Sequence, residues 1–207
     1  MRKSRITCLN SLLWVLSLVL QSLALSEGSF AAETATSDGR RSASAVRDSE
    51  PMLSESKRAD SIRELRKRKL LFPIAGIDPN TTKGSFYEMR GGARHGASDI
   101  LSPRNTPIHA LEDGTIAKLF LSRFGGTTIY QFDPTKTYVY YYAHLEKYAD
   151  GLKEGGEVKR GQVIGYVGTS GNAPKNTPHL HLSISVLGPD KRWWVASPVD
   201  PYAVLQK

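Results

Sequence analysis

Cysteine is almost missing from this chain. Its 207 residues hold one, Cys8, inside a segment expected to be removed. A disulfide within the remaining chain is therefore excluded. So is any zinc ribbon or finger, and a metal site must be built from histidine and carboxylate. Helical periodicity is missing too: no long stretch repeats apolar residues at three- and four-residue steps, and no internal repeat is present. Large apolar residues are nearly absent between residues 32 and 60. Cationic excess is thin over most of the chain. The formal net charge is +8, but from residue 71 onward 15 Lys and Arg face 12 Asp and Glu, leaving +3. The basic character belongs to the N-terminal segments, and no nucleic-acid partner is expected.

What is present begins with an export signature. Arg2, Lys3 and Arg5 precede an apolar run from Leu12 to Leu25, broken by Ser17, Gln21 and Ser22. Small residues Ser29 and Ala31 follow. Residues 1–31 read as a signal peptide, or in the competing reading as an uncleaved anchor. Cys8 precedes the run, which excludes a lipoprotein cleavage box. Either way the rest is exported to the periplasm or cell envelope, with transient membrane association through the N-terminal segment. Residues 32–60 cannot bury enough surface to offset the entropy of ordering and read as a disordered linker. Ser61 and Glu64 match a capping box ahead of the run Arg66–Lys69, so 61–71 reads as a short, solvated basic helix. The folded domain is expected over 72–207.

That domain reads as all-β. Candidate strands are 108–111, 115–121, 127–132, 138–144, 163–167 and 180–186, separated by turn signals such as Asp113-Gly114, Gly125-Gly126 and Gly171-Asn172. Many short strands with regular turns predict a small antiparallel core, sandwich- or barrel-like, with loops around a groove. The stretches 124–137 and 170–178 are expected to flank that groove. Trp193 and Trp194 either line substrate or pack, and packing is the expectation.

The informative pattern is Pro178 to Val186. Leu180, Leu182, Ile184 and Val186 alternate with His179, His181, Ser183 and Ser185, which predicts a strand with one buried and one polar face. His179 and His181 then stand about 7 Å apart on the open face. Tyr138, Tyr140, Tyr142 and His144 alternate in the same way, which puts His144 at the end of a polar face. His95 and Asp99 lie four residues apart among glycines that disfavour a helix, and in an extended segment they face the same way. A catalytic zinc needs three protein ligands and an open position. His95, Asp99 and one of His179 and His181 would supply them, leaving two histidines for proton transfer or charge stabilisation. His109 reads as structural.

Read together, these segments resemble a known family. Arg94-His95-Gly96-Ala97-Ser98-Asp99-Ile100, Thr106-Pro107-Ile108, Asp113-Gly114, Tyr142-Ala143-His144-Leu145, the stretch 158–168 and Pro178-His179-Leu180-His181 occur in the order seen in lysostaphin/LytM-type zinc metallopeptidases, which cut peptide bonds in bacterial peptidoglycan. The resemblance covers roughly residues 72 to 204. It implies Zn2+ held by His95, Asp99 and His181, with His144 and His179 as non-ligand catalytic histidines and peptidoglycan peptide stems as substrate. Its alternative is a non-catalytic domain of the same fold that binds or activates another wall hydrolase. Two positions depart from the family pattern: Ala97 stands where glycine is usual, and Ser183 where glutamate or alanine is common.

Overall fold

The computed structural model describes residues 53–82 and 84–206, so the signal-peptide segment and most of the expected linker lie outside the described residues. The first element is a helix, α1 (Glu55–Lys67), capped by Ser54, whose side chain accepts from the Lys57 amide. This corrects the expectation of a helix over 61–71 behind a linker that runs to 60. Ser61 does not cap: its hydroxyl donates to the Lys57 carbonyl within the helix. The competing cap seven residues earlier wins, because Ser54 with Glu55 in the first turn offers the same capping chemistry and a longer helix. Leu65 is fully buried and carries the helix onto the sheet.

Eleven strands follow: β1 (Met89–Arg90), β2 (Ala93–Arg94), β3 (Ser98–Leu101), β4 (Pro107–His109), β5 (Gly114–Ser122), β6 (Gly126–Phe132), β7 (Tyr138–Tyr148), β8 (Glu157–Val158), β9 (Val163–Val167), β10 (His179–Leu187) and β11 (Ala196–Val199). A short helix, α2 (Pro201–Leu205), ends the described chain. β1 and β2 form a hairpin of their own. The other nine strands make one antiparallel sheet system with no closed barrel among the described residues. β10 lies between β7 on one edge and β3 followed by β11 on the other. β7 pairs with β6 along its length and passes from β10 to β9 near its middle.

One face of the sheet packs the core. Leu180, Leu182 and Ile184 are fully buried there with Ile129, Leu145, Ile164 and Val167. Each such side chain contributes about 1.5–3 kcal/mol of burial. Tyr138, Tyr140 and Tyr142 belong to this core as well; residue type alone leaves tyrosines in a strand open between core and sheet surface. Their hydroxyls reach buried partners: Tyr142 bonds to Gln131 Oε1 at 2.9 Å and Tyr140 to Glu112. A tyrosine can line a core when its hydroxyl is satisfied.

A buried ionic knot ties α1 to the sheet. The guanidinium of Arg68 sits 2.9 Å from Asp133 and 3.2 Å from Glu112. The Asp133 side chain is 0% exposed. Burial pushes its carboxyl up, but hydrogen bonds from Thr135, Tyr138 and Arg68 outweigh this and hold it below the ordinary aspartate range. Arg68→Ala should destabilise the fold by about 3 kcal/mol at neutral pH, because it leaves a buried carboxylate without its cation. A depressed folded-state pKa gives stability that is present above the unfolded value and lost as pH falls. The gap between wild type and Arg68→Ala in urea unfolding should therefore narrow in acid; a constant gap would show that Arg68 acts through packing.

Candidate metal centre

The antiparallel register brings the polar groups together. In the β3–β10 pairing Asp99 stands directly across from His181, and in the β10–β7 pairing Ala143 stands on the other side of His181. Directly opposed residues share a face, so Asp99 and His181 meet without any loop having to find the geometry.

His95 arrives by a different route. The segment before β3 is not extended, which corrects that part of the expectation. The β1–β2 hairpin turns at Gly91 and Gly92, and Gly96 has φ +68°, a backbone state that glycine adopts at little cost. The His95 amide donates to Glu88 O at 2.8 Å and the Gly96 amide to Phe86 O at 3.0 Å. Ser85 then holds both ends of the loop: its carbonyl accepts Nδ1–H of His95 at 3.1 Å, and its hydroxyl accepts the Asp99 amide at 3.3 Å. Ser183, one of the two departures from the family pattern, donates to Gly96 O at 3.2 Å and braces the same loop from β10. Ala97, the other, is buried.

Three donor atoms converge as a result. His95 Nε2 lies 3.1 Å from His181 Nδ1 and 3.3 Å from Asp99 Oδ1, and His181 Nδ1 lies 3.1 Å from Asp99 Oδ1. Tetrahedral zinc with bonds of about 2.0–2.1 Å spaces neighbouring ligand atoms about 3.3 Å apart. The trio matches one face of that tetrahedron, and it is the one group among the described residues whose donor atoms could hold a metal ion in this way. Burial pushes the Asp99 carboxyl up, but hydrogen bonds from His181, His95 and Arg90 hold it far below the usual range, so it is a carboxylate. Burial pushes His181 down, against the pull of Asp99.

Arg90 is a member of this cluster that sequence reasoning missed. Its guanidinium donates to His95 Nε2 at 2.9 Å, to Asp99 Oδ2 at 2.8 Å and to Glu88 at 2.8 Å. A cation drawn to the same lone pair marks that point as one that attracts positive charge. Arginine in a short β1–β2 hairpin carries no signal in a single sequence that would tie it to His95.

His144 and His179 stand beside the trio. Their rings lie 4.9 Å apart, and His144 lies 5.6 Å from His181. Strict alternation along β7 would have buried His144 with Tyr140 and Tyr142. Instead β7 bulges against β6 between the pairs Thr127–Leu145 and Ile129–Tyr142. His144 takes φ +62° there. A bulge moves the next side chain to the opposite face, so Ala143 and His144 both look toward the metal ligands and Leu145 returns to the core. The strained residue is held at several points. Its amide donates to Gly125 O at 2.8 Å and its Nδ1–H to Ser170 O at 2.9 Å. Ser170 in turn donates to Leu145 O at 2.7 Å and accepts from the Thr127 amide at 3.0 Å. His179 Nδ1–H donates to Thr177 O at 2.8 Å.

Both histidines are 7% exposed, and both spend Nδ1–H on a backbone carbonyl. Each is thereby fixed in the tautomer that leaves a lone pair on Nε2. Burial, above all, lowers His144 to about 4, so it is neutral near pH 7. Phe124, Gly125, Tyr141 and Asn172 line the rest of the groove. The two expected flanking stretches thus contribute at Phe124–Gly125 and Asn172, while half of the first is β6. His109 is spent on Pro73 O at 3.1 Å.

The chain is similar to known proteins. The family described as peptidase family M23 matches residues 93–201. The L-Ala--D-Glu endopeptidase of Bacillus subtilis is 37% identical over 143 residues, which is 65% of this chain and 42% of that protein. The peptidoglycan DD-endopeptidase ShyC of Vibrio cholerae is 36% identical over 94 residues, 45% of this chain and 21% of that protein. The chain thus spans less than half the length of these curated relatives. Among solved structures, Csd3 of Helicobacter pylori superposes with a TM-score of 0.51 at 25% identity, covering 67% of this chain and 33% of Csd3.

Asp99→Ala and His181→Ala should each weaken zinc binding by at least about 100-fold, since even outer partners of metal ligands are worth about 10- to 100-fold. His144→Ala should leave affinity nearly unchanged. Competition with a zinc-binding dye distinguishes these outcomes, and equal loss in all three variants would refute the assignment of ligands.

Proposed function

The chain belongs to peptidase family M23, and from that premise we propose that it is a zinc-dependent endopeptidase hydrolysing peptide cross-links of bacterial peptidoglycan. The observation that carries the proposal is the pairing of two features in one groove. His95, Asp99 and His181 form a three-donor face, and two tautomer-fixed histidines adjoin it without belonging to it. A metal held on that face supplies Lewis acidity and an activated water at neutral pH.

The chain's own residues supply the rest. The Nε2 lone pairs of His144 and His179 are the bases available to take a proton from the attacking water, and a neutral imidazole is competent for that near pH 7. Once protonated, either ring becomes a donor to the oxyanion that develops at the scissile carbonyl or to the leaving amine. The Ser170 and Thr177 carbonyls fix the ring orientations, and Tyr141 closes the groove beside His181. The two histidines share these roles. Arg90, paired with Asp99 Oδ2, keeps the other carboxylate oxygen directed at the donor face.

The substrate assignment follows the relatives, whose names specify peptidoglycan and peptide bonds in it. It also implies export, which we assign to residues 1–31 as a signal peptide, with the periplasm or cell envelope as destination and the metallopeptidase domain in 72–207. Among the described residues no helix is long and apolar enough to cross a membrane. A non-catalytic role as a binder or activator of another hydrolase is not favoured, because neither a ligand nor an adjoining histidine is missing.

Purified protein should release soluble fragments from peptidoglycan, lose that activity to a chelator and regain it with zinc. His144→Ala and His179→Ala should bind zinc normally yet lose about 10²- to 10⁴-fold in rate, the usual worth of positioned general acid–base catalysis. Chromatography of the released muropeptides is the assay; full activity in either variant removes that histidine from the mechanism.

A further inference from the structure

The sheet face that carries the groove continues away from it as a row of aromatic rings. Tyr141 lies 5.9 Å from the ring of His181. Tyr130, its cross-strand partner on β6, lies 4.6 Å further along. Trp193, in the loop between β10 and β11, folds back over the sheet to lie 4.5 Å from Tyr130 and 5.7 Å from Phe120 of β5. Trp194 meets Trp193 edge-on at 5.0 Å. The expectation that both tryptophans pack holds for Trp193, which is half-buried, and fails for Trp194, which is 58% exposed. Phe120 is 39% exposed, and Phe124, exposed as well, lines the groove beside Tyr141. Tyr141, Tyr130 and Trp193 are half-buried against one another, but core packing does not explain why the row ends in rings exposed at Phe120 and Trp194, and exposed apolar surface continuous with a groove marks a contact site.

We propose that this row is a saccharide platform, on which sugar rings of a glycan strand stack while the attached stem peptide enters the groove past Tyr141. The inference rests on the peptidoglycan reading, because in that polymer peptide and glycan are covalently joined. Pyranose rings suit the surface chemically. Their faces are carpets of C–H groups with partial positive charge, which the negative faces of aromatic rings attract. Their edges are hydroxyls, and hydrogen-bonding groups border the row: the Arg192 guanidinium lies 5.9 Å from the Trp194 ring, and Lys118 on β5 pairs with Glu154 at 2.8 Å. Tryptophan and tyrosine also offer large rigid area at low entropic cost. Continuity with the groove argues for the same polymer: the row begins at the residue that walls the metal site.

The test uses zinc-loaded full-length protein and glycan strands stripped of their stem peptides, so that nothing can be cleaved. Tryptophan fluorescence should change saturably with glycan, and the protein should co-sediment with insoluble strands. Trp194→Ala should bind about 3- to 10-fold more weakly, the usual worth of an aromatic stacking contact, and Trp194→Tyr should recover most of the loss. Absent glycan binding in wild type, undiminished binding in Trp194→Ala, or binding to phosphatidylglycerol vesicles in place of glycan would each overturn the platform. Hydrolysis of a glycan-free cross-linked peptide dimer is measured alongside. Turnover without glycan binding removes the platform and keeps the peptidase; glycan binding without turnover does the reverse.

Discussion

The position of β10 between β3 and β7 is the constraint on which the site depends. Two antiparallel ladders fix His181 opposite Asp99 on one side and Ala143 on the other. A slip of one residue in either ladder would turn a donor into the core, since neighbouring side chains on a strand point to opposite faces. The same slip would expose Leu180, Leu182 and Ile184, which are fully buried. The apolar face of β10 therefore enforces the register that the polar face needs, and a fold selected for its core brings together Asp99 and His181, two of the three groups that could hold a metal ion. His95 is the exception. It reaches the face from a glycine-rich loop, and that loop is the part of the centre held by side-chain and backbone hydrogen bonds from Ser85 and Ser183 instead of by a ladder.

The bulge at His144 is a second case of structure held against local preference. A left-handed backbone at a non-glycine residue costs about 1–3 kcal/mol. The neighbouring loops are shaped to sustain it. Gly125 and Gly126 leave room for Tyr141, Ser170 and Gly171, and a Cβ at Gly126 would come within 2.3 Å of Ser170 Oγ. Ser170 bonds simultaneously to Leu145 O, to the Thr127 amide and, through its own carbonyl, to His144. Strain that is over-determined in this way persists, and here it turns a histidine from the core face of β7 to the face that holds Asp99 and His181.

These two features separate what the linear chain reveals from what it hides. The alternation around His179 and His181 was legible because that strand is regular and its pleat maps sequence parity onto faces. The same rule, applied to Tyr138, Tyr140, Tyr142 and His144, put all four on one face, whereas the tyrosines lie in the core and His144 on the opposite side. Parity cannot register a bulge, and tyrosine serves a core as readily as a surface once its hydroxyl finds Gln131 or Glu112. β3, β8 and β11 were missed, while β4, β5, β6, β7, β9 and β10 of the large sheet were legible from β-branched and aromatic runs. The two-residue strands of the β1–β2 hairpin were not, nor was Arg90 on it, because so short a ladder has no period to detect. The helix start moved from Ser61 to Ser54 for a related reason: capping chemistry was available at both, and only the burial of Leu65 and the docking of Arg68 on Asp133 decide how much of the segment is ordered.

The two faces of the sheet also differ in what they ask of aromatic residues. On the core face, Tyr140 and Tyr142 are buried and their hydroxyls are consumed within the protein, so they add stability and nothing else. On the other face Tyr130 and Tyr141 begin a row that ends in an exposed tryptophan. Leaving Trp194 in water forgoes burial that the core face secures for every large side chain it carries. A polymer substrate offers a reason for that arrangement. A hydrolase that holds only the scissile bond must draw all of its binding energy from a small groove, whereas contacts to remote parts of the substrate can be spent on orienting the reacting bond. β7 is shared by the two ladders: it pairs with β10, which carries His181, and with β6, where Tyr130 stands opposite Tyr141, so the direction in which such remote contacts can extend is set by the strand next to β10.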